Sequence, residues 1–378
     1  MTTTINNEHK KLNVPNLRFK EFEGEWEKCK LSEICTFFSG GTPSSSNKDF
    51  YGGNIAFIRS GELHADSTEL FITQAGFDSS SAKMVEIGDL LLAMYGATSG
   101  DIAVSKIKGA INQAILCIRT KQNKKFIESV WNKHVSKNLR KYLQGGQGNL
   151  SADIVKGISF FFPTLKEQEK IANLVSLLDE RIATQNKIIE DLKKLKSAIS
   201  HILFSSKGAI HLSEIANVVM GQSPSSNAYN DQGLGMPLVQ GNLDISNGKT
   251  TPRLYTAEFN QMTEKGNIIL TVRAPVGEVA KATQKVCLGR GVCAIIPHEE
   301  NMSDFIYQYL TFYKFMWRRY EQGSTFTSIN GSDVRNIFCP KVRNVSILTL
   351  LDIKINIEER VVKQYQSQKQ YMLYQMFI

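Results

Sequence analysis

Residues 164–203, TLKEQEKIANLVSLLDERIATQNKIIEDLKKLKSAISHIL, carry the clearest helical pattern in the chain. Thr164-Leu165-Lys166-Glu167 has the spacing of a capping box, in which the threonine and glutamate side chains satisfy exposed amides at a helix start. With Ile171 as heptad position a, apolar side chains recur every seven residues, and no proline or glycine follows before Gly208. At about 1.5 Å per residue, residues 166–203 would form a helix roughly 57 Å long. Such a helix needs another helix against its apolar seam.

The partner predicted for this seam is a matching C-terminal helix, because Leu177-Leu178-Asp179 recurs as Leu350-Leu351-Asp352. Two helices that each follow a globular domain are expected to pack antiparallel as a coiled coil. The predicted aliphatic seam of the first helix is Ile171, Leu174, Leu178, Ile188, Leu192, Leu195, Ile199 and Ile202, with Arg181 and Gln185 interrupting it. That of the second helix is Ile347, Leu351, Ile355, Val362, Tyr365 and Met372, interrupted by Lys354, Glu358 and Gln368. The polar residues either fix the register or extend to solvent.

The chain also repeats itself at a period close to half its length. Leu31-Ser32-Glu33-Ile34 returns as Leu212-Ser213-Glu214-Ile215, and an ordered series of further blocks follows. The other matched positions are Gly40 with Gly221, Pro43 with Pro224, Ser44 with Ser225, Ser45 with Ser226, Gly88 with Gly266, Gly100 with Gly277, Gly146 with Gly323, and Pro163 with Pro340. The series indicates two copies of one plan, a globular domain followed by a long helix.

Each globular copy is predicted to be mixed and mainly β, which makes the fold class α+β with an internal pseudo-two-fold repeat. The predicted strands are 55–59, 89–94, 111–118, 268–272 and 292–296, and a helix is expected in each copy at 125–142 and 303–322. The predicted divisions are a polar tail at 1–15, a first domain at 16–162, a central helix at 163–206, a second domain at 207–340 and a C-terminal helix at 341–378.

Composition bounds the class of protein. With 378 residues, 42% hydrophobic and 21% charged, the chain is typical of soluble globular proteins. It lacks a membrane-length apolar run and an apolar signal core, so a cytoplasmic location is expected. Its six cysteines include no C-x-x-C pair and its histidines stand singly, which predicts reduced, mostly buried thiols and no metal site. The net charge of +9 suits a polyanionic partner without requiring one.

Three groups of residues together resemble the specificity subunits of type I restriction-modification systems. They are Val14-Pro15-Asn16-Leu17-Arg18-Phe19 with Gly24-Glu25-Trp26, the turn Gly40-Gly41-Thr42-Pro43, and Pro163-Thr164-Leu165-Lys166-Glu167-Gln168-Glu169-Lys170-Ile171-Ala172. The resemblance extends from Val14 to the end of the chain. It implies two target recognition domains that each read one half of an asymmetric site in double-stranded DNA. It also implies docking of two methyltransferase (modification) subunits, and of restriction subunits in the full complex.

The residues expected to touch DNA lie in turns and carry donors or acceptors. Arginine suits guanine, asparagine and glutamine suit adenine, and serine suits phosphate. The candidates in the first domain are Ser44, Ser45, Asn47, Lys48, Arg59, Asn112, Gln113 and Gln147, and in the second Ser225, Ser226, Asn227, Gln240, Asn242, Arg273, Arg290 and Ser324. Arg59 with Gln240, and Gln113 with Arg290, occupy the same repeat positions, whereas Tyr95 is interpreted as core. Any single candidate is also compatible with an ordinary turn residue.

No catalytic constellation is recognisable. The chain contains no Asn-Pro or Pro-Pro pair for a methyltransferase motif, and the nearest phosphate-binding loop, ending in Gly248-Lys249-Thr250, has Leu243 where glycine is needed. The chain is therefore expected to bind no cofactor and no metal, and S-adenosylmethionine, ATP and magnesium are implied only for the partner subunits. Two alternatives stay open, a helical scaffold without sequence-specific DNA binding and a subunit fused to an unrecognised nuclease.

Overall fold

A computed structural model describes residues 12–142, 150–205, 209–319, 328–342 and 344–378. The chain separates into two compact units. Unit 1 comprises Met1–Gln185 together with Val361–Ile378, and unit 2 comprises Asn186–Arg360. Each unit therefore combines one globular domain with a part of both long helices.

Unit 1 begins in a short β-pair, continues through two sheets and enters the first long helix. Its elements are β1 (Glu27–Lys30), α1 (Leu31–Ile34), β2 (Cys35–Ser39), β3 (Tyr51–Ile58), β4 (Phe71–Ile72), α2 (Gln74–Asp78), β5 (Lys83–Val85), β6 (Leu90–Ala93), β7 (Ile102–Val104), β8 (Gly109–Ile111), β9 (Ile115–Thr120), α3 (Lys124–Tyr142), α4 (Ala152–Gly157), β10 (Ser159–Phe162) and α5 (Leu165–Phe204), which continues into unit 2. Short 3-10 turns lie at Lys48–Phe50, Ser60–Glu62 and Gly96–Thr98.

The two sheets of unit 1 have the strand orders β2-β9-β6-β7 and β4-β3-β8-β5, and β1 pairs with β10. All pairs are antiparallel except β3 with β8, which is parallel. Strand β6 shows why the sequence there is apolar throughout: Leu90 and Leu92 face one core cluster, and Leu91 and Ala93 face another. Alternation places successive side chains on opposite faces, and both faces of this strand are covered.

Unit 2 follows the same plan with additional short strands. Its elements are β11 (Ala209–His211), α6 (Leu212–Ile215), β12 (Ala216–Met220), β13 (Tyr229–Asn230), β14 (Met236–Val239), β15 (Ile245–Ser246), β16 (Lys249–Thr250), β17 (Leu254–Thr256), β18 (Met262–Thr263), β19 (Ile268–Thr271), β20 (Val279–Lys281), β21 (Val286–Leu288), β22 (Val292–Pro297), α7 (Met302–Tyr313), α8 (Gly331–Arg335), β23 (Phe338–Pro340) and α9 (Ser346–Met376), which continues into unit 1. Short 3-10 turns lie at Ser226–Ala228, Asn242–Asp244 and Lys314–Arg319.

The repeat predicted from the sequence is a repeat of topology. In unit 2 the order β12-β22-β19-β20 reproduces β2-β9-β6-β7, and β17-β14-β21-β18 reproduces β4-β3-β8-β5. The parallel pair also recurs, as β14 with β21. The α+β fold class and the internal repeat are therefore confirmed, because matching sequence blocks form matching strands.

Three local predictions differ from the structure. The single strand predicted at 111–118 is two strands, because the Asn112 side chain accepts a hydrogen bond from the Ala114 amide at 3.1 Å and turns the chain there. In its described part, the helix predicted at 303–322 is α-helical over Met302–Tyr313 and continues as a 3-10 turn to Arg319. The predicted positions 320–322 lie outside the described residues. The capping box is half formed: Thr164 Oγ1 accepts from the Glu167 amide at 3.4 Å, but the Glu167 carboxylate binds Arg18 instead.

Within unit 1, α5 and α9 run antiparallel. Asp179 of α5 accepts a hydrogen bond from Lys369 of α9 at 2.5 Å, and Arg181 donates to the Tyr365 hydroxyl at 3.2 Å. The buried row of α5 includes Ile171 and Val175, whereas Leu174 and Leu178 are half-buried. On α9, Val362 is buried and Tyr365 and Met372 are half-buried.

Within unit 2, the same two helices again run antiparallel, through the pairs Lys193–Glu359 at 2.8 Å and Lys196–Asp352 at 2.6 Å. The seam prediction is wrong here for Ile188, Leu195 and Ile202 of α5, which are 40%, 48% and 76% exposed. It is also wrong for Ile347 of α9, which is 48% exposed. The predicted Leu192 and Ile199 are covered, but each exposed seam position is replaced by the residue that follows it, namely Ile189, Lys196 and Leu203. On α9, Leu351 and Ile355 are covered as predicted. One residue turns a helix by about 100°, and two apolar rows lie side by side in this sequence, so packing rather than periodicity selects the row.

The cysteine prediction concerns both units. All six thiols are free; Cys29 is half-buried and the other five are buried. Burial raises the pKa of Cys117, Cys293 and Cys339 to about 12. Among the described residues, no helix is long and apolar enough to cross a membrane, and no three His, Cys, Asp or Glu side chains gather as metal ligands would.

Candidate nucleic-acid interface

Unit 2 has an open polar pocket of about 570 Å³ where several of its loops meet the ends of its central strands. Four of the predicted DNA-contacting residues line it: Ser226, Gln240, Arg273 and Arg290. The lining also includes Ser223, Pro224, Tyr229, Gly241, Ala274 and Gly291. Ser225 and Asn227 are exposed on the same turn as Ser226, and Asn242 is half-buried at the start of the next turn. This surface is called the unit 2 pocket below.

Hydrogen bonds hold the walls of the unit 2 pocket in place. The Tyr229 hydroxyl donates to the Pro224 carbonyl at 3.1 Å and fastens the serine-rich turn. The Ser223 hydroxyl oxygen accepts from the Arg290 amide at 3.1 Å. The buried Asp244 accepts from the Gln240 amide at 2.8 Å and from Arg253 at 3.0 Å. Polar side chains placed on loops fixed in this way can contact a ligand without a large ordering cost.

Arg273 and Arg290 lie just beyond the last paired residues of two neighbouring strands. β19 pairs antiparallel with β22 up to Thr271 and Val292. The Val272 amide then donates to the Gly291 carbonyl at 2.9 Å, and the Val292 amide donates to the Gly289 carbonyl at 3.2 Å, so Arg290 lies in the turn before β22. The backbone of Arg273 forms an isolated bridge with Ser328. We call residues at this place the strand-end pair. Both arginines are exposed, and neither forms an ion pair with a residue that the structure describes.

Unit 1 has a strand-end pair of different chemistry. β6 pairs with β9 up to Ala93 and Ile115, and the Met94 amide donates to the Ala114 carbonyl at 2.8 Å. Tyr95 and Gln113 lie just beyond these paired ends. Gln113 accepts a hydrogen bond from the Thr42 hydroxyl at 2.5 Å. The interpretation of Tyr95 as a core residue was wrong, since it is 39% exposed. The chain is buried as far as Met94, and the next residue, Tyr95, already lies at the surface.

Arg59 is already occupied within unit 1. Its guanidinium donates to both carboxylate oxygens of Glu62, at 3.2 and 2.7 Å, and the Arg59 amide donates to the same side chain at 3.0 Å. These hydrogen bonds hold the pKa of the Glu62 carboxyl below its ordinary value. The geometry gives Arg59 a part in closing the turn after β3, and the equivalent Gln240 is placed differently, on the wall of the unit 2 pocket.

The other candidates of unit 1 differ in how free their side chains are. Ser44, Ser45 and Lys48 are exposed. Asn47 uses its side-chain oxygen to accept from the Asp49 amide at 3.1 Å, and Asn112 uses its own to accept from Ala114. Gln147 and Ser324, the last candidates of the two domains, lie outside the described residues.

Sequence reasoning missed the two tyrosines that fasten the serine-rich turns. In unit 1 the Tyr51 hydroxyl donates to the Pro43 carbonyl at 2.8 Å, as Tyr229 does to Pro224 in unit 2. Each tyrosine begins a strand shortly after a Pro-Ser-Ser block that occurs in both repeats. A closer alignment of the two repeats could have identified the tyrosines from this shared position.

Two domains of one topology carry equivalent surfaces that differ in their polar residues, and a long helix follows each domain. Residues 23–194 and 208–364 both match the family described as type I restriction modification DNA specificity domain. The chain belongs to this family, and its role is that of the subunit that recognises the DNA sequence. The scaffold without DNA recognition is not favoured.

Named relatives agree with this assignment. The protein assigned as the MjaX specificity subunit of a type I restriction enzyme in Methanocaldococcus jannaschii is 29% identical over 88% of this chain and 86% of its own length. The EcoR124I/EcoR124II specificity subunit of Escherichia coli is 29% identical over 47% of this chain and 46% of its own length. The fold matches the crystal structure of the S subunit from M. genitalium, with a TM-score of 0.65, 18% identity and coverage of 97% and 99% of the two chains.

Proposed function

We propose that unit 1 and unit 2 each read one half of a bipartite, asymmetric DNA target. The strand-end pairs carry this proposal, because the same place in the repeat holds Tyr95 and Gln113 in unit 1 but Arg273 and Arg290 in unit 2. An equivalent framework with different donors and acceptors favours two different base sequences. In this proposal the other loop candidates, such as Ser44 and Ser225, position the phosphate backbone.

The long helices would set the distance between the half-sites and dock two modification subunits, joined by restriction subunits in the full complex. Support comes from exposed apolar side chains on each unit's part of these helices. In unit 1 Leu177, Tyr371 and Tyr374 are 60% or more exposed. In unit 2 the exposed apolar residues include Ile188, Leu195, Ile202, Leu350 and Ile353. Contiguous exposed apolar surface is typical of protein–protein contact.

Catalysis, on this proposal, belongs to the partner subunits, which would bind S-adenosylmethionine, ATP and magnesium. Family membership supports it, together with the incomplete phosphate-binding loop that has Leu243 in place of glycine. The complex would act on DNA in the cytoplasm.

The test is an exchange of residues 26–162 for the equivalent domain of a relative, in the full chain expressed with its modification subunits. We expect sequencing of methylated sites to show a change in one half of the motif only. The matched exchange of residues 209–340 should change the other half. Alteration of both halves by either exchange contradicts modular reading, and DNA binding that depends on salt but not on sequence contradicts the recognition role itself.

A further inference from the structure

We propose that Arg273 and Arg290 read guanine in the major groove, so that the half-site recognised by unit 2 contains guanine at the position they contact. This inference rests on the proposed function, in which unit 2 reads one half-site. The inference goes beyond that function, because it names the base that unit 2 reads and the two residues that select this base.

The first step is geometric. Arg273 and Arg290 lie just beyond the paired ends of β19 and β22, and both line the unit 2 pocket. Gly291, which follows Arg290 in the chain, lies against the backbone of Gln240, and a Cβ atom there would stand only 2.1 Å from the Gln240 carbonyl oxygen. Only glycine therefore allows the two backbones to approach this closely, and the approach places Gln240 beside the arginines.

The second step is electrostatic. The two guanidinium groups line one pocket, and like charges repel each other. Elsewhere in unit 2, Arg253 has Asp244 at 3.0 Å, but neither member of the strand-end pair has a carboxylate partner among the described residues. A ligand that supplies acceptors would relieve this repulsion. The pocket is thus charged and open for a partner outside the unit.

The third step identifies the base. Guanine presents two acceptors, O6 and N7, side by side in the major groove, and a guanidinium donates to both in one plane. Adenine offers one acceptor beside a donor, which suits an amide rather than a guanidinium. Unit 1 has only neutral groups, Tyr95 and Gln113, in its strand-end pair. The arginine contact to guanine is therefore confined to the half-site of unit 2.

The experiment uses the full chain assembled with its modification subunits. Arg290→Gln and Arg273→Tyr introduce the residues that unit 1 carries at the same places, and Arg290→Lys keeps the charge but removes the planar pair of donors. Lys285→Gln is the matched control, because it removes one positive charge from unit 2 at a residue paired with Glu264 and outside the unit 2 pocket. The readouts are the methylated motif and binding to target DNA in which 7-deazaguanine, which lacks the N7 acceptor, replaces guanine.

We expect the wild-type motif to contain guanine in one half, and each of the three pocket variants to relax or change that position alone. Discrimination against a replaced guanine should fall at least about 5-fold in the variants. Wild-type binding should weaken on 7-deazaguanine, whereas binding by the Arg290→Gln and Arg290→Lys variants should respond less, and Lys285→Gln should leave the motif unchanged.

Two results would overturn the inference while leaving the proposed function intact. One is a bipartite wild-type motif in which the pocket variants alter no position. The other is a uniform loss of affinity for every sequence, which would mean that the arginines contact phosphates. A wild-type motif that is not bipartite would instead contradict the proposed function.

Discussion

Unit 1 and unit 2 place an aspartate at the same point of the repeat and surround it with different donors. Asp179 on α5 accepts from Lys369 on α9 at 2.5 Å and from Lys125 on α3 at 2.9 Å. Asp352 on α9 accepts from Lys196 on α5 at 2.6 Å and from Gln308 on α7 at 2.7 Å. Each aspartate thus joins both long helices to a helix of the globular domain. The comparison shows that the repeat preserves the contact between these helices but not the charge of the groups that form it. The aspartate meets two lysines in unit 1, and one lysine and one amide side chain in unit 2.

The units also differ in how an aromatic cluster covers the end of a long helix. In unit 1, Phe377 at the end of α9 meets Phe126 and Trp26, with ring centroids 5.2 and 6.4 Å apart. Trp26 in turn donates to Glu167 at 3.3 Å, and Arg18 pairs with the same buried carboxylate at 2.8 Å. In unit 2, Phe204 at the end of α5 packs against Phe305, Tyr309 and Phe312. The tryptophan of this cluster, Trp317, is further away and is reached from Tyr309 through Tyr313.

The largest effect that separates the units is expected from Trp26→Ala. Its ring is 2% exposed and packs 5.8 Å from Phe126, so its removal should lower the free energy of unfolding of unit 1 by about 3–5 kcal/mol. Hydrogen exchange measured by mass spectrometry in increasing denaturant would report each unit separately. Phe204→Ala is the matched change in unit 2. Equal loss of protection in both units after either substitution would show that they do not unfold as separate bodies.

A smaller effect is expected from Asp179→Asn, compared with Asp352→Asn. The first leaves two lysines facing a neutral amide and should destabilise unit 1 by about 1–2 kcal/mol, more than the second destabilises unit 2. Burial alone would raise the pKa of the Asp179 carboxyl, but hydrogen bonds from Lys369 and Lys125 outweigh it and hold the pKa below its ordinary value of 3.8. Because the pKa of Asp179 is lower in the folded protein, its ionised carboxylate stabilises the fold at pH values above the ordinary pKa. This contribution to the free energy of unfolding is lost as the pH falls through the pKa of the folded state.

The free energies of unfolding of the wild type and of Asp179→Asn, measured by denaturation, should therefore differ by a constant amount above about pH 4. Below that pH the two free energies should converge. The control is the double variant that combines Asp179→Asn with Lys369→Gln. It should lose less free energy of unfolding than the sum of the losses of the two single variants. Simple additivity would mean that the two side chains do not stabilise unit 1 as a pair.

The smallest expected difference concerns thiol reactivity in the native protein. Cys29 of unit 1 is half-buried, whereas Cys287, Cys293 and Cys339 of unit 2 are buried. Because the thiolate is the reactive form and needs access, iodoacetamide near pH 8 should slowly modify Cys29 and leave unit 2 unmodified. Peptide mapping gives the result directly, and rapid modification of any unit 2 cysteine under native conditions would contradict the described burial.

Much of the candidate interface was within reach of sequence reasoning, and the exceptions have identifiable causes. Ser226, Gln240, Arg273 and Arg290 were all predicted as contacts, and the structure brings them to one pocket. Arg59 was predicted on equal grounds, yet Glu62 three residues later occupies its guanidinium. An ion pair of this kind depends on the turn between the two residues, and composition does not reveal it.

By itself, the sequence determined the two-fold plan, the α+β class and the family, because repeated blocks and strand-length apolar runs follow from local geometry that each segment carries alone. Only the tertiary structure decided which row of α5 is covered, with Ile189 buried and the neighbouring Ile188 exposed. It also decided which side chains come together in the unit 2 pocket. Both depend on register between segments far apart in the chain, and a shift of one residue, which local periodicity tolerates, turns a side chain from the core to the solvent.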